Sequence, residues 1–408
     1  MSDPITTTLA HAPESVERAA YASPGPASAG SATRSRSLFV PALIGFVLLG
    51  ITALLVIGFL FIALGAGVVA VGGVMALIPL GIVLLGIRWI DRWEPEPRSA
   101  LLFAFLWGAA TSVFVALLVG LVAEVVLTSA GSSESELEFI GAVIQAPIVE
   151  ELAKGFGVLL IFLVARKHFD GPIDGIVYAA TVAAGFAFTE NILYFGAELG
   201  GGEGSSVIGV FIIRGLMSPF AHVMFTLCTG VAIGIAARRR GVLPGLLAFV
   251  IGLVPAMLLH ALWNGATFVV GDSFLIYYVV VQVPLFIAAI VLVVVLRRHE
   301  ARLTKVRLDE YAAAGWFNTD ETLALATPRG RSQAIAWARQ HGLATVMRGY
   351  IRDATRLAFI RQRLVAGHDV VGAQVDEAAV LASIISRRAA LQPQVVAVAA
   401  SGEPVVTR

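Results

Sequence analysis

The chain has a single cysteine, Cys228, in 408 residues, so no intrachain disulfide can brace it. Charge is also scarce. Only 14% of residues are Asp, Glu, Lys or Arg, and the formal net charge is +1. Binding to nucleic acid draws on a strong positive field, so this balance predicts no nucleic-acid partner. Between Leu38 and Ile87 there is no charged residue at all. Apolar residues make up 58% of the chain and the mean hydropathy is +0.85, beyond what the core of a soluble domain uses. The expected fold class is therefore all-α, a polytopic membrane protein.

A span needs about 20 apolar residues to cross roughly 30 Å of hydrocarbon. The uncharged run from Leu38 is long enough for two spans, with a tight turn near Gly65-Ala66-Gly67. Six further spans read at roughly 100–127, 139–165, 173–195, 207–236, 242–269 and 274–296, for an expected total of eight. Arginine and lysine fall only in alternate connections: Arg34 and Arg36, Arg88 to Arg98, Arg166 and Lys167, Arg238 to Arg240, Arg297 and Arg298. The positive-inside bias then predicts a multi-pass protein of the cell (plasma) membrane with both termini cytoplasmic. Residues 1–37, rich in Ser, Ala, Pro and Thr, read as a disordered tail. The membrane domain is expected over 38–297, a helical cytoplasmic tail over 298–392 and a disordered end over 393–408. No cleavage of the first apolar segment is expected, because it leads directly into another span.

Against this background, the polar residues inside the spans stand out. Glu150, Glu151 and Lys154 share the fourth span. Each charge at the bilayer centre costs about 2.5–3.5 kcal/mol on insertion scales. Lys154 lies four residues after Glu150 and three after Glu151, within reach of either, but it cannot neutralise both. The fifth span carries Phe186, Glu190 and Asn191 without a basic neighbour in sequence, and Phe186 shares a face with Glu190. The sixth carries Arg214 and His222, and the seventh His260 and Asn264, which share a face. Arg214 can snorkel, pair with Glu124 or orient substrate. Counted from the nearest outer-loop markers, Glu150 and His260 each lie 12 residues inward, about 18 Å at 1.5 Å per residue. The four spans thus deliver their polar groups to a similar layer.

Carboxylates, two histidines and an asparagine around one point suit water activation. A glutamate can take a proton from water and return it to a leaving amine. Neutral imidazoles can bind a divalent metal such as zinc, with a carboxylate as third ligand, or can stabilise an oxyanion with Asn264 as an extra donor. Hydrolysis of a peptide bond in the membrane fits this inventory, and the spacing excludes an HExxH site. The alternative is a proton-coupled transporter using the same Glu and His layer as a relay, and a third reading is a scaffold that uses the layer for packing. No motif or hydropathy repeat links the two halves, which weighs against an inverted-repeat transporter.

The motifs EPEP at Glu94–Pro97, EELAK at Glu150–Lys154, FAFTEN at Phe186–Asn191, His222 after Ser218-Pro219, and HALWN at His260–Asn264 occur in that order. With them the chain resembles the PrsW family of intramembrane metalloproteases, within the superfamily of CAAX-prenyl endopeptidases and bacteriocin-processing enzymes. The resemblance covers roughly residues 38–297. It implies eight spans with the site among the fourth to seventh, and endoproteolysis of a membrane protein, such as first cleavage of a single-span anti-sigma factor. It further implies Glu150, Glu151, Glu190, His222 and His260 as catalytic residues. Lys154, Phe186, Asn191 and Asn264 would support them, and His222 and His260 are the expected metal ligands.

Two regions stay outside that chemistry. The segment from Arg88 to Arg98 reads as a re-entry loop, and Asp174 as a carboxylate suited to a helix N-terminus. In the tail, Val346, Tyr350, Ile351, Ala354, Leu357 and Leu364 recur at helical spacing. Arg348, Arg352, Arg356, Arg361 and Arg363 flank that stripe, so a small helical module is expected, with docking on anionic lipid as a second reading.

Overall fold

The structure, a computed structural model, describes residues 31–166, 169–201, 206–239, 241–367 and 369–391. The expectations for residues 1–30 and 393–408 lie outside them. Every regular element among the described residues is a helix. The chain divides into one unit from Gly30 to Val294 and another from Val295 onward.

In the first unit α1 (Ser31–Leu64) and α2 (Ala66–Ile90) are separated by Gly65 alone, which takes φ +79°. That left-handed turn is open to glycine at no steric cost. Residues 31–37, expected in the disordered tail, are helical. Once a helix is nucleated, each added residue brings a hydrogen bond. Next come α3 (Arg98–Ser129), α4 (residues 134–164, with its main body Ala146–Val164), α5 (Pro172–Gly200), α6 (Val207–Ala237), α7 (Leu243–Val269) and α8 (Phe274–Ala313). Among the described residues seven helices are long and apolar enough to cross a bilayer: α1, α2, α3, α5, α6, α7 and α8. The body of α4 is not among them, because Glu150, Glu151 and Lys154 interrupt its apolar run.

Burial separates inner helices from outer ones. In α5 and α6, 78% and 67% of the most apolar stretch is buried, against 11–33% for the other five. α5 is the central helix, in contact with α1, α2, α3, α4 and α6. Small residues make that possible, since backbones in a bilayer approach where side chains are short. A Cβ at Gly175 of α5 would lie 2.0 Å from the Gly230 carbonyl oxygen of α6, and one at Gly108 of α3 would lie 1.8 Å from the Val182 carbonyl oxygen of α5. Neither helix pair tolerates alanine there without moving apart.

Four helices contain a π-helical turn: Trp107–Ser112 in α3, Ile140–Gln145 in α4, Phe211–Met217 in α6 and Tyr278–Gln282 in α8. Such turns rotate the helix locally and loosen the i to i−4 ladder. Each carries a bond to another helix. The Trp107 indole donates to the Ala153 carbonyl (2.8 Å), Ala142 accepts from Asn264 (2.8 Å), and the Tyr278 hydroxyl donates to the Met217 carbonyl (2.6 Å). In α6 the π turn carries Arg214, then the helix breaks at Ser218-Pro219-Phe220 and restarts at Ala221.

The segment before α3 is more than a re-entry loop. Trp93 and Glu96 are buried, the Asp91 carboxylate accepts from the Glu96 amide (2.9 Å), and Tyr178 of α5 donates to Glu96 (2.5 Å). Asp174 does cap the start of α5, accepting from the amides of Asp170 (2.5 Å) and Gly171 (2.8 Å).

The second unit contains the end of α8 and four helices: α9 (Thr319–Ala326), α10 (Pro328–Gln340), α11 (Ala344–Val365) and α12 (Val370–Leu391). Its core is the expected stripe of α11, with Tyr350, Ile351, Ala354 and Leu357 buried and Val346 and Leu364 partly so, packed with Leu308, Phe317 and Ile384. Asn318 caps α9, accepting from the Glu321 amide (2.8 Å) while the Glu321 carboxylate accepts in return.

Candidate active site

The four polar-bearing helices meet: α4, α5, α6 and α7 contact one another around one cluster, α5 and α7 through α4 and α6. In α4 the two adjacent glutamates take different surroundings, as their helical separation of about 100° requires. Glu151 is fully buried and saturated. It meets Lys154 Nζ at 2.6 Å and His260 Nδ1 at 3.0 Å, and accepts from the Thr226 hydroxyl at 2.9 Å. Glu150 is 7% exposed, and its Oε2 has no hydrogen bond. The nearest groups are Lys154 Nζ at 3.5 Å and His260 Nε2 at 3.8 Å.

Lys154 is fully buried and bridges the helices. Beyond the glutamates it approaches His222 Nδ1 at 3.2 Å and lies 4.3 Å above the Phe186 ring of α5. That placement gives Phe186 a cation–π role beside the ammonium. His222 sits in the first turn after the α6 break, where Ser218-Pro219 directs the chain back into the bundle. Its Nε2 meets Glu190 Oε2 at 2.7 Å, which leaves Nδ1 as the acceptor facing Lys154. His260 stacks on Phe225 at 4.8 Å, and the two histidine rings are 5.3 Å apart.

Glu190 does have a basic partner, although not in sequence. Arg214 donates to Glu190, and its Nε donates to the Asn191 side chain at 3.0 Å. The guanidinium also lies 3.9 Å over Tyr194. Arg214 is thus engaged by α5 and not by Glu124. Asn264 shares a face with His260, but its amide donates to the Ala142 carbonyl of the α4 π turn. It ties α7 to α4 at the carbonyl that the π turn presents.

Of the nine residues singled out in the sequence, eight lie in or against one cluster, while Asn264 bonds the α4 π turn instead. Thr226 was missed as a member, Trp107 as a support of α4, and Arg214, read as snorkelling, pairing with Glu124 or orienting substrate, was missed as the partner of Glu190. Thr226 lies four residues after His222 and so shares its face, a signal available in the sequence. Arg214 and Trp107 owe their placement to π turns, for which the sequence carries no clear mark. Glu151, Lys154 and His260 are sealed, while the side chains of Glu150, Glu190, His222 and Arg214 keep 10–18% exposure.

Three carboxylates against two fixed cations, with neutral imidazoles, leave one negative charge over in a water-poor interior. Burying it demands a compensating proton or cation. A carboxylate with an open oxygen beside two imidazoles, among membrane-spanning helices, has the groups that hydrolysis inside a membrane requires.

The profile described as PrsW family intramembrane metalloprotease matches residues 96–289. The chain is 34% identical over 196 residues to Protease PrsW of Clostridioides difficile, covering 76% of that protein and 47% of this chain. It is 33% identical over 166 residues to Protease PrsW of Geobacillus kaustophilus (66% of that protein, 39% of this chain), and 32% identical over 162 residues to the Bacillus subtilis protein of the same name (67% and 40%). No solved structure matches it. The chain belongs to the PrsW family and is a membrane-embedded protease. That membership favours the endopeptidase over the transport reading.

The family description implies a metal ion, and the residues present fit one. The ligand atoms of Glu150, His222 and His260 lie within 4.8 Å of one another. Glu150 Oε2 is unsatisfied, and the Glu151 contact at His260 Nδ1 leaves Nε2 turned towards Glu150. Lys154 is the competing cation. It already neutralises part of this set, so an ion held here would compete with Lys154 for Glu150 and His222.

Proposed function

We propose that Glu150 is the water-activating carboxylate of this protease and that Glu151 is its structural neighbour. The observation carrying this is the open Oε2 of Glu150, a buried carboxylate oxygen without a hydrogen bond, beside a Glu151 with partners on both oxygens. Glu150 takes a proton from water and returns it to the departing amine, a role worth roughly 10²–10⁴ in rate. Glu151 and Lys154 hold His260 in one orientation, and Glu190 with Arg214 does the same for His222. With Glu150 kept for the water, His222 and His260 are the side chains that would hold a divalent ion such as zinc. When bound, it polarises the scissile carbonyl and acidifies water. Asn191 fixes Arg214, Asn264 fixes α4 against α7, and Phe186 carries Lys154.

The substrate is a membrane protein with a single span, of the anti-sigma factor type, cut near the end of its helix. The chain crosses the cell membrane eight times, α4 included, with both termini in the cytoplasm. Shielding of three charges by α5, α6 and α7 supports a spanning α4 despite its composition. The test is cleavage of a single-span reporter in membranes containing the wild type or Glu150→Gln. Abolished cleavage with intact folding is the expected result, and retained cleavage sinks the assignment.

A further inference from the structure

The family match ends at residue 289, so the second unit, from Val295, carries sequence that the shared activity does not account for. Its charge is uneven. From Arg297 to Leu391 there are fifteen lysines and arginines against nine acidic residues. Five of the nine acids are spent internally: Glu321 on Arg388, Asp353 on Arg387, Glu310 on Arg307 and Arg361, Asp376 on Arg363, and Asp309 on Lys305. The surplus collects on α10 and α11. On these helices every exposed charged side chain, apart from the histidine that ends α10, is an arginine: Arg329, Arg339, Arg348, Arg352 and Arg356. The acid on α11, Asp353, is buried and also accepts from Ser383.

Arg348, Arg352 and Arg356 are four apart, so they form one row about 12 Å long on a single face. The opposite face of α11 is the core of the unit, which fixes the direction in which the row points. Among the described residues none of the three has an acidic partner. The continuous α8 tethers this unit to a membrane-spanning one, and the surface complementary to a row of arginines that such a tether supplies is an anionic lipid headgroup layer. We propose that the α11 arginine row is a docking face for anionic phospholipid headgroups, which holds the second unit on the membrane surface.

The test uses the full chain with Cys228→Ser and a spin label on Thr345→Cys, an exposed position on the same face as Arg348 and Arg352. The protein is placed in nanodiscs of phosphatidylcholine alone or with phosphatidylglycerol, each doped with a nickel-chelating lipid that relaxes labels at headgroup depth. Relaxation in the anionic discs that is absent in neutral ones, and weakened by high salt, is expected. A label at Val375→Cys on α12 remains unrelaxed in both. Replacing the three arginines by glutamine lowers docking roughly a hundredfold, at the scale of one juxtamembrane arginine multiplied over three, and replacement by lysine preserves it. Equal relaxation in both lipids, docking that survives the glutamine variant, or docking that appears only when an acidic soluble protein is added would each overturn the proposal. Retained docking in the lysine variant shows that the unit is still folded after three substitutions.

Discussion

Two buried ion networks stand in this chain, one among α4 to α7 and one among α9, α11 and α12, and they are built on opposite principles. In the second unit Arg388 donates to both oxygens of Glu321 (2.9 and 3.1 Å), to the Tyr350 hydroxyl (3.0 Å) and to the Trp316 carbonyl (2.9 Å), while Tyr350 donates to Glu321. One negative group meets one positive group, and burial pushes the Tyr350 hydroxyl well up so that it remains a donor. In the membrane unit three carboxylates meet two cations and one oxygen stays open. A network closed on itself specifies packing. One left unbalanced costs stability, and it persists where the open group has work to do.

The comparison breaks most sharply at Glu150. Glu150→Gln keeps the shape, removes the excess charge and makes the two networks alike. Cleavage is expected to fall by roughly 10²–10⁴ while thermal unfolding in detergent rises or stays level. A variant that unfolds more easily would mean that Glu150 is a structural partner after all. Arg388→Met is the converse experiment. It strands Glu321 in the core and should weaken the second unit by about 3–5 kcal/mol, read as faster hydrogen exchange across α11 and α12 in the full chain. A change under about 1 kcal/mol would show that the closed network carries little of the fold.

A smaller effect probes what holds the open network in place. Trp107→Phe removes the indole donor to Ala153, one residue before Lys154, and leaves a gap against Gly157. A loss of about 0.5–1.5 kcal/mol is expected, with cleavage reduced up to about tenfold and substrate binding unchanged. Stability loss without any change in turnover would remove Trp107 from the positioning of α4. The smallest effect belongs to the segment before α3. Burial raises Asp91 from 3.8 to about 6, against the Glu96 amide and Arg88, and burial with Asp174 beside it pushes Glu96 well up. The folded state binds the extra proton, so this segment is tightest near pH 3.8 and loosens as pH rises to about 6, with Glu96 extending the trend upward. Trp93 fluorescence should follow that window, and Asp91→Asn should remove its lower part. A flat profile in the wild type would show that Asp91 is solvated.

Much of this was legible before any coordinates. The uncharged runs mark the spans because hydrocarbon admits little else, and seven of the eight expected helices meet the length and apolarity of a crossing. The eighth, α4, falls short through Glu150, Glu151 and Lys154, the residues that make it worth reading. Their spacing put either carboxylate within reach of Lys154, and contacts to both are present, the closer one to Glu151. It could not foretell which glutamate would be saturated, because that depends on Thr226 and His260 arriving from other helices.

By itself, then, the sequence determined the helical membrane class, the order of the spans, the family motifs and the inventory of acids, histidines and amine. Composition and spacing are local properties, and they survive without coordinates. Tertiary structure alone decided the roles within that inventory. It set Arg214 against Glu190, turned Asn264 away to Ala142 and left Glu150 with an open oxygen. The reason is physical: a buried charge is defined by the partners that neighbouring helices bring to it, and here π turns and glycine contacts, invisible to hydropathy, set how those helices meet.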